Sequence, residues 1–213
     1  GNGGDIDRQN FHYFIKVGIA GVVPGTTDPS CKVDYIIVVS GWKCEPCKTS
    51  LKRVLQRPEF KSREENWVTL LYRENLGMDF GAYNMSVAWV SQHRPGRYKY
   101  FIFINSSLRG PFMPKWTPYG FHFTNVLTQM MKEDERVKIA GSYITCLAGA
   151  FEPFQRVVME SLFFCLDDES LRWMIDDGVF NIREDKSEIA IFGEYSLMES
   201  VLKRGWRAEG LSM

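Results

Sequence analysis

The sequence predicts an α/β protein with a central, mostly parallel or mixed sheet flanked by helices, and two observations carry that expectation. The first is a set of three short apolar runs, Tyr35–Ser40 (YIIVVS), Trp67–Tyr72 (WVTLLY) and Tyr98–Ile104 (YKYFIFI). Runs of this length, rich in β-branched and aromatic residues, mark strands buried on both faces. The second is that helical patterns separate them. Strand–helix–strand–helix–strand implies βαβ units with right-handed crossovers.

Each element has its own signal. Asp7–Ile19 places Phe11, Phe14, Ile15 and Ile19 at helical spacing and ends near Gly18 and Gly21. The strand Tyr35–Ser40 breaks at Gly41, and Pro46–Gln56 follows as a helix with Leu51, Val54 and Leu55 inward. After the strand Trp67–Tyr72 comes the helix Gly81–His93, which stops before Pro95. Beyond the third strand the pattern is less regular. Phe121–Met131, Asp168–Ile175 and Glu188–Lys203 read as helices, and Val137–Ile144, Leu162–Leu166 and Trp206–Leu211 as strands.

The chain has 213 residues and no low-complexity linker or solenoid repeat, so one domain is expected. Its nucleotide-binding half is placed at about 1–110 and its acceptor-side half at about 111–213. Lys+Arg and Asp+Glu balance at 26 each, which speaks against a nucleic-acid partner. No apolar run is long enough for a membrane-spanning helix. Five cysteines, an odd count in a chain large enough to fold without staples, point to reduced thiols and a cytosolic setting.

In open α/β sheets, ligands sit beyond the carboxyl ends of the strands. Three segments fall there: Ser40-Gly41-Trp42, Arg73–Tyr83 and Asn105–Pro111. The first leads into Trp42-Lys43-Cys44-Glu45-Pro46-Cys47-Lys48, a thioredoxin-like dithiol motif after a buried strand. It reads either as a redox site or as two ordinary cysteines in a helical first turn with Pro46 at a favoured position. Redox enzymes of that type place a Pro-containing loop opposite the dithiol, and no such loop is evident here.

In Arg73-Glu74-Asn75-Leu76-Gly77-Met78-Asp79-Phe80-Gly81-Ala82-Tyr83, two glycines flank one aspartate ahead of a helix. The backbone there can turn sharply and approach a ligand closely. Asp79 reads either as the helix N-cap or as a ligand for a hard cation that bridges a diphosphate.

This stretch, ENLGMDFGAY, resembles the N-x-G-R-D-x-G-x-[YF] signature of glycosyltransferases related to the rhamnan-synthesis family. The similarity continues in order. Asn10–Phe14 resembles the family's leading helix and Tyr35–Ser40 its first strand. Phe101–Pro111 (FIFINSSLRGP) resembles its strand and N-[DS]-S-x-x-G-P turn, with Trp116 and Phe123 following. Glu160–Phe164 and Gly193-Glu194-Tyr195-Ser196 are similar to two later blocks, and Gly205-Trp206 closes the series.

The resemblance implies a GT-A-like, Rossmann-like fold and an enzyme that takes a hexose or deoxyhexose from a nucleoside diphosphate sugar. It also implies a UDP-sugar donor, a glycan acceptor and Mn2+ or Mg2+ as cofactor. Two departures stand out. Asn105-Ser106-Ser107 occupies the place where the family's Asp-x-Asp carboxylates would stand, and Met78 replaces the usual Arg. Metal binding then falls on Asp79, with His122 either an extra ligand or a packed core histidine.

The remaining roles follow from chemistry. Arg73 and Arg109 are candidate phosphate clamps or surface ion-pair partners. Ser40, Gly41, Asn75, Asn105, Ser106 and Ser107 are candidate donor contacts, and Tyr83 or Trp42 either stacks on the base or belongs to the core. An inverting reaction needs a carboxylate to take the acceptor's proton. Glu194 is the first candidate and Asp167 the second, while Asp168 reads as a helix cap. Two other classes stay open: a thiol–disulfide oxidoreductase built on Cys44 and Cys47, and a non-catalytic nucleotide-sugar-binding domain.

Overall fold

The computed structural model describes residues 3–21, 33–61, 67–112, 114–118, 121–147 and 156–212. The chain forms two compact units, each assembled from two stretches: Gly1–Arg73 with Ser106–Asn125, and Glu74–Asn105 with Val126–Met213.

In the first unit, α1 (Gly3–Phe14) runs on into a π-helical turn, Ile15–Ile19. Strand β1 (Tyr35–Ser40) leads to a second π-helical turn, Cys47–Leu51, continued by α2 (Lys52–Leu55), a short α3 (Pro58–Lys61) and β2 (Val68–Arg73). β1 and β2 pair in parallel from Tyr35↔Val68 to Ser40↔Arg73, as the strand–helix–strand pattern requires. Ile15, Ile19, Leu51, Val54, Phe60 and Trp67 form the buried core beneath them. Phe60 stacks on Trp67 at 5.3 Å between ring centroids.

The second unit holds α4 (Met78–His93), β3 (Tyr100–Ile104), α5 (Asn125–Glu133), β4 (Val137–Leu147), β5 (Arg156–Met159) and β6 (Phe163–Asp167). It continues with α6 (Asp168–Asp176), α7 (Lys186–Ile189), a third π-helical turn at Ala190–Glu194, α8 (Tyr195–Leu202) and β7 (Arg207–Ser212). The strands form one sheet in the order β3-β6-β4-β5, with β7 also on β4. Residues alternate between its faces. Ile139, Phe164 and Leu166 pack with Phe80, Met174 and Leu197, while Ala140 and Cys165 pack with Leu127 and Met131.

The α/β class holds, with parallel and antiparallel pairing together. The third apolar run does not extend a parallel array, because β3 lies antiparallel to β6 from Tyr100↔Asp167 to Ile104↔Phe163. Among the described residues, β4–β7 is the larger sheet's only parallel pairing. An unbroken apolar run reports burial on both faces and is silent about partner and direction. Strand β5 had no counterpart in the sequence reading. Its Val157-Val158-Met159 run is too short to stand out, although Val158 and Met159 are buried. Among the described residues, no helix is long and apolar enough to cross a membrane.

Candidate functional site

The candidate residues gather in two groups, one in each unit. In the first unit, Ser40 and Arg73 are register partners at the carboxyl ends of β1 and β2, and the Gly41 N–H donates to the Arg73 carbonyl at 2.7 Å. Gly41 has φ 104°, so the chain leaves the strand through a conformation suited to glycine. Partial burial pulls the Arg73 guanidinium below its ordinary range. Trp42 follows with 69% exposure. It belongs to no core, which leaves its ring available.

The same unit carries the loop after β3. Ser106, Ser107 and Arg109 are exposed there. The buried Asn10 amide fixes the loop by donating to the Ser106 carbonyl at 3.0 Å and the Ser107 carbonyl at 3.2 Å. Arg109 lies over the Tyr13 ring at 5.1 Å, and Gly110–Pro111 is a cis peptide. The sequence pattern places Asn10 only in the helical stretch Asn10–Phe14. A single amide among Phe11, Tyr13 and Phe14 was the signal that it had a buried partner.

His122 is packed, which settles its two readings. It is 2% exposed, its Nε2 bonds the Tyr35 hydroxyl at 3.1 Å, and its Nδ1 bonds Thr124 Oγ1. With both nitrogens engaged, it has none left for a metal. Tyr119, at the start of the same aromatic run, lies outside the described residues.

In the second unit the group centres on Asp79. Gly77 caps α4 at φ 68° and Met78 follows at φ 47°, two successive left-handed residues. Such strain persists only where surroundings enforce it. Here the Arg183 carbonyl and the Ile182 side chain abut Gly77 at a distance of 3.2 Å from where a Cβ would stand. Asp79 therefore sits inside the first helical turn and is not the N-cap. Its Oδ2 accepts a hydrogen bond from Asn105 Nδ2 at 2.6 Å. Asn105 is buried just beyond β3, and its own N–H donates to the Leu162 carbonyl. The carboxylate can only accept, so this bond fixes which end of the Asn105 amide faces it.

Glu194 ends the third π-helical turn. Gly193 allows the approach: a Cβ there would meet the Phe80 ring at 3.1 Å. Burial raises the Glu194 carboxyl above its ordinary range, the Glu160 and Asp79 carboxylates raise it further, and Lys186 and a Ser161 hydrogen bond oppose them. The charges of Asp79 and Glu160 thus both act on Glu194, and Glu160 has no role assigned by the sequence pattern. Its signal was an acid at the head of the Glu160–Phe164 block, directly before a buried strand.

Other candidates lie elsewhere. Tyr83 belongs to the core and does not offer its ring to a base. It is 6% exposed, sits edge-on to Phe103 at 5.0 Å, and donates its hydroxyl to the Ser161 carbonyl at 2.9 Å. Burial, then the charges of Asp79 and Glu194, push its phenol well above its ordinary range. Asp167, and not Asp168, caps α6. Its Oδ1 accepts from the Ser170 N–H at 2.8 Å and its Oδ2 from Lys138 Nζ at 2.9 Å. It stands at the carboxyl end of β6, roughly 13 Å from Phe163 along the strand at ~3.3 Å per residue, whereas Glu160 and Ser161 precede the other end. Asn75 is exposed in the loop before α4.

The cysteines divide. Cys44 and Cys47 are bonded to one another, so the reduced state expected for all five does not hold for this pair. Cys146 and Cys165 are free thiols, and Cys31 lies outside the described residues.

Among the described residues, no three His, Cys, Asp or Glu side chains cluster as a ready-made metal cage. Asp79, together with the Glu194 and Glu160 carboxylates in its field, offers hard oxygen donors of the kind that suits Mg2+ or Mn2+ sharing its shell with a diphosphate and water. No protein-family model matches the chain, and no curated protein or solved structure matches it significantly.

Proposed function

We propose that the chain is a metal-dependent glycosyltransferase, moving a hexose or deoxyhexose from a nucleoside diphosphate sugar, with a UDP-sugar favoured, to a glycan acceptor. The observation that carries this reading is the Asp79 carboxylate, oriented by Asn105 and set in one field with Glu160 and Glu194. Asp79 is the residue that would hold Mn2+ or Mg2+, and the ion would neutralise charge on the departing diphosphate. Glu194 takes the proton from the acceptor hydroxyl as that oxygen attacks the anomeric carbon. Its raised proton affinity brings it nearer to the working pH of a general base. If configuration is retained, no base is needed, and Glu194 orients the sugar.

Ser40, Gly41 and Arg73 supply a hydroxyl, a flexible backbone and a cation at the strand ends of the first unit, groups suited to a ribose and a phosphate. A cytosolic setting belongs to the same reading.

The test is donor hydrolysis with UDP-sugars and Mn2+. Asp79→Ala should reduce it by about 10²–10³-fold while leaving the fold intact by circular dichroism. Undiminished hydrolysis in that variant would sink the proposal.

A further inference from the structure

The transferase reading leaves one feature of the first unit unused: the Cys44–Cys47 disulfide, with Cys44 7% and Cys47 5% exposed. Three observations bear on it. A ring closed over a sequence separation of 3 removes little entropy from an unfolded chain, so as a stability device it is poorly placed. The flanking elements are held without it, since Tyr35, Leu51 and Val54 are all in the buried core. The third observation is chemical: the Cys47 N–H points at the Cys44 sulfur at 3.2 Å, where it would stabilise a thiolate. Lys43 and Lys48 flank the pair.

Between the end of β1 and Cys44 lie Gly41, whose N–H is bonded to the Arg73 carbonyl, and the exposed Trp42. Cys44 stands three residues after Gly41 and so borders the strand-end group along the chain. We propose that Cys44–Cys47 is a reversible dithiol/disulfide site that controls nucleotide binding at Ser40, Gly41 and Arg73. The coupling rests on the glycosyltransferase reading; the redox site does not.

The chemistry uses a dithiol reductant. One reductant thiolate attacks Cys47 Sγ, the Cys44–Cys47 bond breaks, and the electron pair leaves on Cys44, the sulfur that accepts the Cys47 N–H. The second reductant thiol then attacks the mixed disulfide and expels Cys47. The reductant ends as a disulfide, and its two electrons and two protons end on the Cys44 and Cys47 thiols.

The experiment has two readouts on the full chain. Alkylation followed by mass measurement, without ligand, reads the redox state. The pair should open in dithiothreitol and close again in oxidised dithiothreitol, with circular dichroism unchanged; a pair that opens only when the chain unfolds overturns the site. Calorimetric titration with UDP and Mn2+ reads the coupling. Oxidised and reduced protein should differ in Kd by about fivefold or more, with the Cys44→Ser/Cys47→Ser double variant matching the reduced form. Equal Kd values in all three overturn the coupling. Absence of UDP binding in every form overturns the transferase reading together with the coupling, and leaves the alkylation result to decide the redox site alone.

Discussion

Asn105, the first residue past β3, donates a hydrogen bond of 2.6 Å to the Asp79 carboxylate near the start of α4. The bond joins a strand end to a helix start, and it is made by a neutral amide. Asn105→Asp would set two carboxylates side by side in a buried place. The variant without metal should melt below the parent, and Mn2+ should raise its Tm by more than it raises the parent's. Thermal scans with and without Mn2+ check this; equal metal-induced shifts would show that Asp79 is not where the ion binds.

Glu194 provides a second test, because catalysis and stability should move in opposite directions. A carboxyl whose proton affinity is raised in the folded chain favours folding in acid and opposes it as pH rises past the ordinary glutamate range. Glu194→Gln removes that opposition. Its Tm at pH 7 should equal or exceed the parent's, the difference vanishing toward acid pH, while transfer by an inverting reaction falls by about 10²–10⁴-fold. The acid limb of the parent's kcat/KM profile should lie above the usual glutamate range. A lowered Tm in the variant would show that Glu194 makes a net stabilising contact instead.

Asp167 should behave in the contrary way. Its carboxylate caps α6 and pairs with Lys138, so Asp167→Ala should cost about 0.5–2 kcal/mol and leave donor hydrolysis per folded molecule unchanged. Denaturant titration and an activity assay on the same preparation separate the two effects.

Gly141 tests the packing of the larger sheet. A Cβ at that position would run into the sulfur of Met159, which is fully buried. Gly141→Ala should cost about 1–3 kcal/mol, seen as a Tm lowered by roughly 2–10 °C. Met159→Ala in the same chain should recover part of the loss, which a double-mutant cycle measures.

Local pattern served well where one residue's neighbours decide its fate. The strands Tyr35–Ser40 and Tyr98–Ile104 and the helix before Pro95 lie close to where their apolar runs place them. Partners across the sheet were hidden, because burial fixes a strand's composition and not its direction; β3 against β6 is the example. In the candidate site, the Asp79 segment showed through its glycines, but the bond to Asn105 spans 26 residues and no spacing rule reaches it. The choice between Asp167 and Asp168 as cap turned on one residue of helix boundary, the least legible quantity in any sequence. Tyr83 was ambiguous because an aromatic beside a polar loop looks alike whether it faces the ligand or supports it from behind.

Ile139, Ala140 and Gly141 of β4 are bonded on both sides, by β6 along one edge and β7 along the other. Their amides should therefore be among the slowest in the molecule to exchange with heavy water. The second of those partners comes from residues 207–212, distant in sequence, so the strand cannot be completed until a late segment of the polypeptide has been made. During synthesis that edge would be bare, open to pairing with a neighbouring nascent chain, and the larger unit is where a chaperone would find its binding site.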